Sequence, residues 1–183
     1  MGNRMAVFID GRNVHYRLVT LGWPTEYDVV AFAEAISVRQ HFNLVAVHYY
    51  NATPLSKFTP EPEYGQQLRY YAYIESQLGD RFRKGFLIDA GGRLIEKQVD
   101  VKIALDLALC AVRDEYDIAG LVSADGDLGA AVEEAQREGK RVINYVFRMK
   151  RSFSLAQVCD EVRFLKRKHF TPVVYSDESA PSN

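Results

Sequence analysis

Residues 7–16 read VFIDGRNVHY. The apolar run from Met5 to Ile9 predicts a buried strand. It then breaks into Asp10, Gly11, Arg12 and Asn13, and a short helix is predicted over Asn13–Leu21. A carboxylate at the end of a core strand has two explanations. It caps the next helix from a turn, or it faces a ligand at the carboxyl edge of a parallel sheet.

The rest of the chain supplies the sheet. Strands are predicted at Leu44–Asn51, Ile118–Val122 and Arg141–Phe147, and a hairpin at Arg83–Ile88 and Arg93–Lys97 around Ala90-Gly91-Gly92. Helices are predicted from the Asp28 cap to Val38, over Glu63–Leu78 with Leu68, Tyr71, Ala72 and Ile74 inward, and over Val99–Val112, Leu128–Arg137 and Ser154–Val158. Thr53–Pro62 holds three prolines and reads as a loop. Alternating strands and helices imply a mostly parallel sheet covered on both faces. We expect one domain over residues 1–170 and a polar, disordered tail over residues 171–183, ending in SDESAPSN.

The chain has 183 residues, 48% apolar and 26% charged, with a formal net charge of −1. That balance excludes a polybasic nucleic-acid binder; any such contact needs a local basic patch. Two isolated cysteines, Cys110 and Cys159, make neither a zinc pattern nor a disulfide framework. A reducing, cytoplasmic setting is expected. MGNRMAVFID is not expected to act as a signal sequence, and no apolar run reaches the roughly 20 residues a bilayer span needs. No membrane role is expected.

Four acids should converge. Asp10 ends the first strand, LVSADGD sets Asp125 and Asp127 just past a later strand, and Asp100 lies in the first turn of the helix feeding that strand. A helix antiparallel to the strand it feeds starts near the strand's carboxyl end. On a helical wheel Asp100 shares a side with Ile103, Ala104, Leu107, Ala108 and Ala111. Asp106 falls elsewhere, four residues from Lys102, which predicts a solvated ion pair. Each acid alone also reads as a helix cap or dipole complement. Crowded carboxylates repel unless a cation intervenes, and oxygen-only donors select Mg²⁺ or Mn²⁺ over Zn²⁺. His15, His41, His48 and His169 form no zinc spacing.

Together VFIDGRNV, KQVDVKIALDL and LVSADGDLGAAVEEAQREGKRV resemble the NYN domain, in particular its bacterial LabA-like (DUF88) branch, a PIN-like nuclease family. SLAQVCDEVRFL also resembles that family's terminal helix, with Cys159-Asp160 at its Ala-Asp pair. The resemblance spans about Met5 to Leu165. It implies a three-layer α/β/α sandwich of PIN-like, Rossmann-like form and a metal-dependent ribonuclease using Mg²⁺ or Mn²⁺. It implies catalytic roles for Asp10, Asn13, Asp100, Ser123, Asp125 and Asp127, with Asp10, Asp100, Asp125 and Asp127 holding the metal. Lys97 matches a lysine before the helix acid, and Asp106 a further acidic position. Ala124 stands where the family has Gly, and would be strained if that site needs φ > 0.

RNA is the expected partner, single-stranded or structured, and a homodimer is compatible with the fold. Candidate basic surroundings are Arg12, Arg81-Phe82-Arg83-Lys84, Arg148-Met149-Lys150-Arg151 and Lys166-Arg167-Lys168-His169. Tyr49, Tyr50, Tyr64, Tyr70, Tyr71 and Tyr73 offer possible base-stacking surfaces, against a plainer role in the core. The competing reading is a non-catalytic RNA- or protein-binding module with a vestigial metal site. Phosphatase chemistry of the haloacid-dehalogenase type wants a second acid where Arg12 stands, and there is no Walker loop or dinucleotide-binding glycine pattern.

Overall fold

The computed structural model describes residues 2–148 and 154–175. Seven strands form one sheet: β1 (Arg4–Asp10), β2 (Asn43–Ala52), β3 (Phe82–Asp89), β4 (Leu94–Lys97), β5 (Ile118–Val122), β6 (Arg141–Val146) and β7 (Glu161–Phe164). Their order across the sheet is β4-β3-β2-β1-β5-β6-β7. All neighbours are parallel except β3 and β4, which form the expected hairpin.

Residue alternation along β1 builds the two cores. Met5, Val7 and Ile9 face one side, where α1 (Gly11–Leu21), α2 (Val29–Ser37) and α3 (Glu63–Leu78) bury Val14, Leu18, Phe32 and Ile74. Ala6 and Phe8 face the other, under α4 (Val99–Val112) and α5 (Gly129–Arg137), which bury Ile103, Leu107 and Val132. Asp10 has the parity of Ala6 and Phe8. The result is the three-layer sandwich anticipated from the alternation of elements.

Helix ends follow from capping chemistry. Asp28 caps α2 by accepting from the Val30 and Ala31 backbone N–H groups at 3.0 and 2.8 Å. α1 stops at Gly22, whose φ of 62° is the left-handed conformation that closes a helix.

Three local readings need correction. The inward side of α3 is Tyr70, Tyr71 and Ile74; Leu68 and Ala72 are exposed, because only one turn-to-turn stripe of the helix meets the sheet. The Lys102–Asp106 pair does not form. The Lys102 ammonium donates to the Lys84 carbonyl, and Asp106 accepts from the Tyr50 hydroxyl at 2.9 Å and lies 3.6 Å from Arg83. α6 covers the predicted Ser154–Val158, but the likeness of SLAQVCDEVRFL to one terminal helix stops there, and Glu161–Phe164 joins the sheet as β7. Asp160 makes the switch. Its carboxylate accepts from the Val142 N–H at 2.7 Å while its own N–H donates to the Val142 carbonyl at 3.0 Å, laying the chain beside β6.

Residues 171–175, assigned from sequence to the tail, pack on the domain. Pro172 bridges Tyr27, and the Tyr175 hydroxyl donates to Glu26 at 2.7 Å. Residues 176–183 of that tail lie outside the described residues. Among the described residues no helix is long and apolar enough to cross a membrane.

Candidate active site

The chain winds outward from β1 through β2 and β3, then returns through α4 to place β5 on the other flank of β1. The carboxyl ends of β1 and β5 therefore meet where the winding reverses, and such reversals open the ligand crevice of parallel α/β sheets. Asp10 ends β1 there and is only 4% exposed. It is also the cap of α1: one carboxylate oxygen accepts from the Asn13 backbone N–H at 3.0 Å. The other accepts from the Ser123 hydroxyl at 2.8 Å, between residues 113 apart in sequence. The capping and functional readings of Asp10 thus coexist in one side chain.

Gly11 is required by packing. A Cβ there would lie 2.5 Å from the Tyr49 ring.

Burial raises the Asp10 carboxyl to about 6; the Asn13 N–H and the Ser123 hydroxyl oppose the rise, and the charges of Asp100 and Asp125 add to it. Asp100 is raised too, first by burial, then by Asp125 and Asp127, with Arg12 opposing. These mutual effects bring Asp10, Asp100, Asp125 and Asp127 into one electrostatic neighbourhood. The stripe that Asp100 shares is buried at Ile103, Leu107 and Ala111, but Asp100 itself is exposed, one turn before that stripe meets the sheet.

Ser123 ties the neighbourhood together. It is 3% exposed, and its oxygen also accepts from the Asp125 N–H at 3.1 Å. Asp125 in turn caps the short 3-10 turn Gly126–Leu128 by accepting from the Asp127 N–H at 2.9 Å. A Cβ on Gly126 would lie 2.5 Å from the Ser154 hydroxyl, so this turn is pressed against the start of α6. Non-glycine residues with positive φ are His41, Gln98 and Asp114 among the described residues. Ala124 is not one of them, and it sits in place of Gly without strain.

Two residues that sequence reasoning missed join the site. Glu96, on β4, is raised by burial first; the Arg12 charge opposes this, and Asp10 and Asp100 add to it. Its Oε2 is 3.6 Å from Arg12 Nη1 and has no hydrogen-bond partner. The period-2 pattern of the edge strand was the available signal: Leu94 and Glu96 are half-buried, and Ile95 and Lys97 exposed. Lys97 therefore points away from Glu96, and among the described residues no ion pair joins it to Asp100. Asn144, on β6, is fully buried and donates to the Leu121 and Ser123 carbonyls at 3.1 and 2.9 Å. Nothing in the local sequence marked it.

Other candidates lie apart from the acids. Tyr49, Tyr50, Tyr70 and Tyr71 are each no more than 5% exposed and belong to the core, so they offer no face for base stacking. Tyr64 and Tyr73 are half-buried. His48 stacks on Phe8 with ring centroids 4.8 Å apart, and burial pushes it down to about 4. Of the basic clusters, Arg83 pairs with Asp106 and Lys84 with Glu75. Met149, Lys150 and Arg151 lie outside the described residues.

Among the described residues no three His, Cys, Asp or Glu side chains stand close enough to share one ion. The donor chemistry nevertheless suits a hard divalent cation. Mg²⁺ is commonly held by one or two carboxylates, keeping waters or substrate phosphate in the remaining positions. Asp10 and Asp125, whose carboxylate and backbone N–H respectively bond the Ser123 hydroxyl, are the residues that would hold it.

A mostly parallel sheet between helical layers, with a buried carboxylate at its switch point, is consistent with a PIN-like fold. The chain belongs to the NYN domain family, whose profile matches residues 4–166. The fold is similar to the crystal structure of a protein of unknown function from Vibrio parahaemolyticus, with a TM-score of 0.67 and 23% identity over 92% of this chain and 96% of that one. No curated protein matches the chain.

Proposed function

We propose that the chain is a metal-dependent ribonuclease of the LabA-like (DUF88) branch, hydrolysing phosphodiesters with Mg²⁺ or Mn²⁺. The observation that carries this reading is the Asp10–Ser123 hydrogen bond at the switch point, with Asp100, Asp125 and Asp127 acting electrostatically on one another around it. When bound, a divalent cation would polarise the phosphate and lower the pKa of a water.

The chain's own residues do the rest. The Asn13 N–H and the Ser123 hydroxyl fix both oxygens of Asp10, so its orientation is set before any ligand arrives. Asp125 is oriented through Ser123, and Asp127 and Asp100 offer solvent-open oxygens. Asn13, whose backbone N–H holds Asp10, would offer its side-chain amide as a neutral donor for a phosphate oxygen. Arg12, half-exposed next to Glu96, gives a cation at the rim for an approaching polyanion. Both cysteines are free, which suits the proposed cytoplasmic setting.

The experiment is cleavage of end-labelled RNA with Mn²⁺, comparing wild type with Asp10→Asn and Asp125→Asn. Cleavage by wild type and its loss in both variants is expected. Equal cutting by all three, or none by wild type, rejects the assignment. The second reading is a non-catalytic RNA- or protein-binding module, and RNA retention without cleavage would support it.

A further inference from the structure

A cavity of about 500 Å³ opens beside the acidic site. Its first wall is one face of α1, formed by Asn13, Tyr16, Arg17 and Thr20 at the i, i+3, i+4, i+7 spacing. Its floor is the carboxyl ends of β5 and β6, with Ser123 and Asn144, and its far wall is Leu155 and Ala156 of α6. Asn13 and Ser123 thus belong both to the cavity and to the two hydrogen bonds that hold Asp10.

The lining has the makeup of a small-molecule site, an apolar body with a few fixed polar groups. Val122, Val146, Phe147 and Leu155 supply the apolar part. Asn144 is immobilised because its amide nitrogen already donates to two carbonyls, while its Oδ1 is buried without any donor. A buried unpaired acceptor invites an occupant that brings an N–H group. Arg17 lies 5.4 Å from the Tyr16 ring centroid and, among the described residues, has no carboxylate partner. An uncommitted cation on a mostly apolar cavity, next to a carboxylate site, matches an occupant carrying both a flat ring and a phosphate.

We infer that this cavity receives a nucleobase of the RNA strand, that of the nucleotide neighbouring the phosphate held at the acids. The inference rests on the ribonuclease reading for its choice of RNA. All four nucleobases carry an N–H donor and a flat apolar face, and the volume accommodates one base with its ribose. Arg17 meets the phosphate of that nucleotide.

The test is binding in EDTA, where metal-dependent cleavage is off and the result is independent of whether the chain cuts RNA. The probe is a short single-stranded oligoribonucleotide carrying one 2-aminopurine among abasic positions, compared with a fully abasic strand of equal length. Wild type should bind the base-bearing strand at least tenfold more tightly and quench its fluorescence. Ala156→Trp and Thr20→Phe fill the cavity from opposite walls. Each should bring the base-bearing strand to the abasic level, with circular dichroism unchanged. The Thr20 hydroxyl already donates to the Tyr16 carbonyl of its own helix, so its loss opens no cross-element contact. Equal binding of both strands by wild type, or no binding, overturns the inference, and that comparison needs no variant. So does undiminished base-dependent binding by either folded variant. Binding of adenosine monophosphate without binding of the oligonucleotide assigns the cavity to a free mononucleotide and overturns the RNA strand as its source.

Discussion

The Ser123 hydroxyl donates to Asp10 at 2.8 Å and accepts from the Asp125 N–H at 3.1 Å. One buried oxygen therefore couples the end of the first strand to the acidic loop after the fifth. Ser123→Ala removes both bonds and leaves a buried carboxylate oxygen short of a donor. A stability loss of about 1–3 kcal/mol is expected, read as a lower Tm. RNA cleavage should fall roughly 10- to 100-fold as Asp10 and Asp125 lose their common anchor, measured at saturating Mn²⁺.

Asp10 makes the metal-free protein sensitive to pH. Its carboxyl rises from an ordinary 3.8 to about 6, so the native state holds the proton more tightly than the unfolded chain. The Asp10 contribution to stability in EDTA should then fall as pH rises from 4 through 6, by an amount on the order of 3 kcal/mol. Asp10→Asn retains a capping side chain and should remove this slope while abolishing cleavage. Tm against pH in EDTA, with and without added Mn²⁺, measures it; a slope unchanged in the variant contradicts the assignment to Asp10.

His48 acts in the opposite sense. Burial beside Phe8 pushes it down to about 4, below the 6.5 of an exposed imidazole. The unfolded chain takes up the proton first, so stability from this group is complete above pH 6.5 and lost as pH falls toward 4. His48→Phe keeps the ring stack and should flatten that part of the acid profile, leaving cleavage at pH 7.5 within about twofold of wild type. Urea midpoints between pH 4 and 7 give the comparison.

Glu96 tests the fifth carboxylate. Its unpaired Oε2 sits beside Arg12 and within the field of Asp10 and Asp100. Glu96→Gln keeps the shape and removes one negative charge. Apparent Mn²⁺ affinity in the cleavage assay should weaken about tenfold, while Tm holds or rises in EDTA because carboxylate repulsion is relieved. Unchanged Mn²⁺ dependence would exclude Glu96 from the site.

Most elements of the sheet were readable because their signals are local. The apolar runs of β1 and β5 fall where expected, and α4 covers the predicted Val99–Val112. The convergence of Asp10 and Asp125 also followed from strand alternation and the position of strand ends. What escaped depends on contacts distant in sequence. Glu96 is recruited by Arg12, and Glu161–Phe164 becomes a strand only because Asp160 bonds Val142. The tyrosines illustrate the same limit. Composition cannot separate a stacking platform from a core ring, and Tyr49 and Tyr71 each pack edge-on against Phe82.

The central place of β1 has a consequence during synthesis. Of these seven strands β1 is the earliest in sequence, and it is flanked in the finished sheet by β2 on one edge and β5 on the other. Its second edge stays unpaired until the chain has been made through Val122, and Asp10 has no hydroxyl partner until Ser123 follows. The pocket is thus completed only once Ser123 has been made, 113 residues after Asp10. A truncated or nascent chain carries the leading carboxylate without the arrangement that would let it act.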